Sequence, residues 1–124
     1  MEKTWTYEQK SGSLVDPDGK TVGRGYSGHG PGLNNPLAEA EEGVGPIPRG
    51  NWAIAQWFDR YQDKGPQVAR LLPQGFDAHG RAGFLIHGDN ALQNFSASHG
   101  CIILPRPIRN LIRESGVTML TVTA

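Results

Sequence analysis

Several features that would place a chain at once are scarce in this one. Cysteine occurs once in 124 residues, so no internal disulfide is available and the fold has to be stable in either redox compartment. No apolar run reaches the roughly 18 residues that a membrane-spanning helix needs. The opening segment MEKTWTYEQK has no apolar stretch that reads as a secretory signal. Neither charge sign is in excess: 12 Lys plus Arg stand against 12 Asp plus Glu. That balance leaves no basic stripe for nucleic acid and no charged patch for a membrane surface. Repeats and low-complexity segments are absent as well. Residues 1–124 therefore read as one domain, large enough to bury roughly 65 to 70 per cent of its unfolded surface.

Glycine and proline are plentiful, at 17 and 9 residues. They favour many turns and short strands, hence a mainly β architecture. An alternating TWTYE at 4–8 and a hairpin over 12–26, turning at Asp16-Pro17-Asp18-Gly19, make a small N-terminal meander. Residues 27–50 form a long glycine- and proline-rich loop, with an Ala/Glu stretch at 38–42 sufficient for about one helical turn. Loops of that length in compact domains are often functional. Strands are expected at NWAIAQW from Asn51 and at Val68 to Leu72, separated by the polar stretch 58–66. FLIHG at 84–88 is a short apolar run, and a strand follows Cys101 as far as Pro105. Pro107 sits near the start of a helical pattern with Ile108, Leu111 and Ile112 on one face and Gly116 as its stop. VTMLTV at 117–122 closes the chain, and Trp52 and Trp57 read as packing residues.

The chemistry concentrates in FLIHGDNALQNFSASHGCIIL at 84–104. A histidine ending one apolar strand and a cysteine opening the next stand side by side if those strands pair, within reach of a thiol–imidazole hydrogen bond. A free thiol with pKa ~8.5 is only a few per cent thiolate at neutral pH, so Cys101 needs His87 as a base or a nearby cation. Gly100 permits a tight turn whose backbone N–H groups form an oxyanion hole. The Gly88 carbonyl is placed to orient the imidazole.

Ser98-His99-Gly100-Cys101-Ile102, preceded by Ile86-His87-Gly88, resembles the signature of the YkuD-type L,D-transpeptidases. Trp5, Tyr7, Gly25-Tyr26-Ser27-Gly28, Asn34-Asn35-Pro36, Gly45-Pro46-Ile47-Pro48-Arg49-Gly50 and Gly80-Arg81 extend the likeness over nearly the whole chain, toward the compact DUF2778 branch that includes type VI secretion effectors. The interval from His87 to Ser98 is shorter than in the larger YkuD pattern, and Ile103 stands where that pattern commonly has Arg or Asn. The resemblance implies an L,D-transpeptidase-like β-sandwich or barrel with one short helix after the cysteine. It implies an antibacterial enzyme cutting tetrapeptide stems of peptidoglycan after the third residue, releasing D-Ala by hydrolysis or exchanging it for another amine. Cys101 is then the nucleophile, His87 the base, Gly88 the orienting carbonyl, and Ser98, His99 and Gly100 the active-site turn. A cognate immunity protein and secretion machinery would be its partners. Delivery without a signal peptide would carry it from the producer's cytoplasm to the target periplasm as a monomer.

His99 reads either as a substrate or oxyanion contact or as a turn-stabilising group. Arg81, Tyr26, Ser27 and Asp89 are the candidate substrate contacts, with Arg81 either a carboxylate clamp or a structural ion pair. His29 and His79, in glycine-rich loops, read as solvated. Asp89, His87, His99 and Cys101 include metal donors but lack the paired short spacings of structural zinc, so neither metal nor cofactor is expected. Two rival readings are a non-catalytic peptidoglycan-binding module and a cytosolic protein with a redox-sensing Cys101.

Overall fold

The computed structural model describes residues 3–90 and 97–124. The first two residues and positions 91–96, within the interval that separates His87 from Ser98, lie outside the described residues. The strands are β1 (Trp5–Glu8), β2 (Ser13–Val15), β3 (Thr21–Arg24), β4 (Tyr26–Ser27), β5 (Gly50–Arg60), β6 (Pro66–Pro73), β7 (Leu85–His87), β8 (Ile102–Ile103) and β9 (Met119–Thr123); α1 is Arg106–Ser115. They form one sheet in the order β3-β2-β1-β9-β5-β6-β7-β8-β4.

The two edges of that sheet, β3 and β4, are joined through Gly25 alone, so the sheet curls into a nearly closed barrel. Gly25 is at the seam for a steric reason. Its N–H donates to Gly12 O at 2.8 Å, and a Cβ there would fall 1.7 Å from Ile103 O. Alternation supplies the core: Trp5 and Tyr7 from β1 and Leu120 and Val122 from β9 point inward. They join Trp52, Ile54, Leu71, Ile86, Ile102 and Leu104, and a fully buried Leu, Ile or Val contributes ~1.5–3 kcal/mol. β7, flanked by β6 and β8, is buried along its whole length.

The expected hairpin at 12–26 is present as β2 and β3. Three expectations are corrected. The stretch read as a connection from residue 58 is strand up to Arg60, which pairs with Pro66, so the turn is confined to 61–65. The long loop holds 3-10 turns at Gly30–Gly32 and Pro36–Ala38, the second reaching only the first residue of 38–42, because the Asn35 side chain accepts from Leu37 N and caps it there. On α1, which ends at Gly116 in the left-handed conformation, Leu111 is 46% exposed while Arg109 is 4% exposed. At about 100° per residue, the face that covers the sheet is centred between Ile112 and Arg109, and Leu111 lies outside it. No helix is long and apolar enough to cross a membrane among the described residues.

Candidate active site

β7 and β8 do pair, in parallel, with Ile86 opposite Ile102 and His87 opposite Ile103. Cys101 immediately precedes β8 and is set back along the sheet from His87. Its Sγ–H donates to Gly83 O at 3.8 Å. His87 is 2% exposed, and its Nδ1 lies 2.8 Å from Gly88 O. A carbonyl only accepts, so Nδ1 carries the proton and Nε2 keeps its lone pair. That Nε2 is buried and has no hydrogen-bond partner among the described residues. The thiol–imidazole hydrogen bond expected from strand pairing is therefore not made in this resting arrangement. Cys101 lines a hollow of about 210 Å³ with Glu42, Arg81, Phe84 and His99. His87 lines a second, of about 240 Å³, with Lys64, Asp89 and His99, so His99 is a wall common to both.

Burial sets the electrostatics. It pushes the Cys101 thiol up, against the pull of the Leu85 N–H and of the Lys64 and Arg81 charges. It also pushes His87 down, against the bond to Gly88 O. Removal from water penalises the charged form of each, so the resting pair is a neutral thiol and a neutral imidazole. Behind Gly88 lies the Arg109 guanidinium: a Cβ on Gly88 would approach its Nη1 to 2.6 Å. Arg109 Nε and Nη1 have no hydrogen-bond partner among the described residues, and the charge further disfavours protonation of His87.

The turn before Cys101 is shaped by residues far away in sequence. Ser98 Oγ donates to Cys101 O at 2.6 Å and accepts from Gly28 N at 2.8 Å and Gly100 N at 3.1 Å, which uses its full capacity of one donor and two acceptors. The Gly100 amide is thus occupied, and an oxyanion donor has to come from elsewhere. Gly100 has φ +137, and a Cβ there would lie 2.6 Å from Arg81 Nη2 and 3.0 Å from the Phe84 ring. Its carbonyl accepts from Ser27 Oγ at 3.0 Å, and that oxygen accepts from Ile47 N at 2.8 Å. Ser27 accordingly lies buried beneath the turn and does not line the cleft. His99 Nδ1 is 3.1 Å from Gly43 O, the bond of a turn-stabilising group, while its ring still faces both hollows.

Arg81 is tied down at every terminal nitrogen. Nη1 donates to Glu39 O and Pro46 O, Nη2 to Gly45 O and His99 O, at 2.5–3.1 Å. The guanidinium also stands 5.1 Å over the Phe84 ring. Of the two readings of Arg81, this geometry is structural, with backbone carbonyls in place of an ion pair. Tyr26 OH donates to Asp89 Oδ1 at 2.7 Å and accepts from Ala97 N at 3.1 Å. Burial, aided by the Asp89 carboxylate, pushes its pKa up to about 12. Both residues line a wider hollow of about 530 Å³ with Arg24 and Leu104, and Asp89 also borders the His87 hollow.

Sequence reasoning missed four residues here. His29 is not simply solvated: its Nδ1 is 3.0 Å from Ser98 O and its ring meets His99 edge-on at 4.7 Å. His79, likewise read as solvated, pairs with Glu39 at 2.8 Å. Lys64, at the β5–β6 turn, and Arg109, on the buried face of α1, carry no local pattern that marks them.

The barrel, with a cysteine and a histidine on adjacent parallel strands, shares its fold with an L,D-transpeptidase of known structure. The chain is similar to the crystal structure of an L,D-transpeptidase from Xylanimonas cellulosilytica, with a TM-score of 0.62 and 20% identity over 98% of this chain. It spans 60% of the length of that protein. The chain belongs to the Tlde1 domain family, a type VI effector family, whose pattern matches residues 21–121. No curated protein matches it. Fold and family agree with the resemblance carried by the SHGC motif.

Proposed function

We propose that this protein is a peptidoglycan-acting effector that performs cysteine acyl transfer on tetrapeptide stems. The observation that carries this reading is the buried, partnerless Nε2 of His87, held as a lone pair by the Nδ1 bond to Gly88 O, on the strand next to the one Cys101 opens. A buried polar atom without a partner costs about 1–3 kcal/mol, and an acceptor kept vacant on the strand next to a thiol is what a general base requires.

Substrate in the cleft brings a carbonyl against Sγ and shortens the gap to Nε2, as catalytic hydrogen bonds commonly tighten on binding. Sγ bonds to the carbonyl carbon between the third stem residue and D-Ala, and its proton passes to Nε2. The C–N bond then breaks, and Nε2–H returns the proton to the departing D-Ala amine, leaving a thioester on Cys101. Water, deprotonated by His87, releases the tripeptide and restores the thiol; an amine in its place gives exchange. The effector would reach the periplasm of a target cell by type VI secretion, with an immunity protein protecting its producer.

Mass spectrometry of disaccharide-tetrapeptide incubated with the protein, with and without an added D-amino acid, tests the reading. Loss or replacement of the terminal D-Ala is expected, with a transient thioester adduct on the protein. An untouched tetrapeptide that nevertheless binds would replace the enzyme by a binding module.

The pH profile follows from His87. The base works only when neutral, and its pKa is held below the ordinary ~6.5. The acid limb of kcat/KM is therefore expected below pH ~6.5, activity being lost as pH falls through the lowered value. Arg109→Met removes the cation behind Gly88 while keeping the site filled, and should move that limb to higher pH. Coincident limbs for wild type and variant would deny Arg109 any influence on the base.

A further inference from the structure

Any enzyme acting on the stem proposed above has to accommodate a charged group very close to the reacting carbon. The leaving D-Ala ends in a carboxylate, and the bond lengths between the scissile carbonyl carbon and that carboxyl carbon keep them within about 4 Å of each other. A cation therefore belongs beside the thiol and imidazole. Arg81 lines the thiol hollow, but both its terminal nitrogens already donate to the carbonyls of Glu39, Gly45, Pro46 and His99. Arg109 is buried behind Gly88 and lines neither hollow.

Lys64 is different. It ends the 3-10 turn Gln62–Lys64 between β5 and β6, and it lines the His87 hollow. It is half-buried, and among the described residues its ammonium has no hydrogen-bond or ion-pair partner. Other charged groups at this hollow are Asp63 and Asp89, of which Asp89 already accepts from Tyr26. The charge of Lys64 reaches both reacting groups, drawing Cys101 and His87 downward alike. Because Lys64 and His87 line the same hollow, the cation stands where a carboxylate next to the scissile carbonyl can be met.

We propose that Lys64 binds the terminal carboxylate of the leaving D-amino acid and makes the site selective for stems with a free acid end. This rests on the acyl-transfer reading above and adds the residue that recognises the leaving group.

The test compares disaccharide-tetrapeptides ending in D-Ala and in D-Ala amide, with kcat and KM measured for wild type, Lys64→Arg and Lys64→Met. A charge-assisted hydrogen bond corresponds to a preference of roughly tenfold to hundredfold. Wild type is expected to prefer the acid by that factor in kcat/KM. Lys64→Arg should keep the preference, and in Lys64→Met the acid-to-amide ratio should collapse toward one. A ratio that survives in Lys64→Met would overturn the assignment, and would mean that any rate lost came through the thiol or imidazole. Wild-type protein that turns over neither substrate would overturn the acyl-transfer reading itself, and Lys64's role with it.

Discussion

Cys101→Ala is expected to bring release of D-Ala from a tetrapeptide stem to the assay floor, a loss of at least about 10³-fold, while the thermal transition stays where it is. The second half of that statement is as diagnostic as the first. The Cys101 side chain makes one weak bond, to Gly83 O at 3.8 Å, and the turn around it is held by Ser98, Gly100 and Arg81, not by the sulfur. Substitutions away from packed or bonded features usually change stability by less than about 0.5 kcal/mol. His87→Ala should lower the rate by roughly 10²–10⁴-fold, the range for loss of a general base. It should also cost stability, because it opens a void in a residue position that is fully enclosed. Turnover by the alanine variant at Cys101 comparable to wild type would end the covalent mechanism. A collapsed fold in that variant would show that the sulfur supports the barrel in a way the contacts do not reveal.

Arg81→Met is expected to act on the fold more than on the substrate. Four carbonyl bonds are lost at once, and each buried acceptor left without a partner costs about 1–3 kcal/mol. Methionine occupies much of the same space, so the loss is polar more than steric. Even the lower end of that range is a large part of the ~5–15 kcal/mol that holds a domain together. The melting temperature should fall by about 10 °C or more, measured by circular dichroism or calorimetry. The carbonyls concerned belong to residues 39–46 and to His99, so residual activity should fall with the stability of that loop. A melt unchanged from wild type together with a raised KM would reverse the conclusion and make Arg81 a carboxylate clamp.

Both predictions rest on a loop that sequence reading marked as important for a different reason. Residues 27–50 were expected to be functional from their length and their glycine and proline content. In the structure they mould the turn at 98–100. Gly28 N and Ser27 Oγ hold Ser98 and Gly100, His29 and Gly43 hold Ser98 and His99, and three carbonyls of the loop fasten Arg81. Tyr26, expected at the cleft, bonds Asp89 and borders the wider hollow, whose lining includes neither Cys101 nor His87.

The sequence by itself determined what is covalent or periodic. Alternation in TWTYE and VTMLTV produced strands with inward Trp5, Tyr7, Leu120 and Val122; Asp16-Pro17-Asp18-Gly19 produced the turn; Gly116 ended the helix; and the short motifs IHG and SHGC singled out His87 and Cys101, the pair proposed to react. Such features are legible because the backbone and its nearest neighbours enforce them. Only the tertiary structure decided which charges stand around that pair. Arg81 against carbonyls, Arg109 behind Gly88, Lys64 lining the hollow and His29 against His99 all depend on how the barrel closes through Gly25 and how α1 turns upon it. Their contacts join residues that lie tens of positions apart, and no local period or turn chemistry encodes such distances.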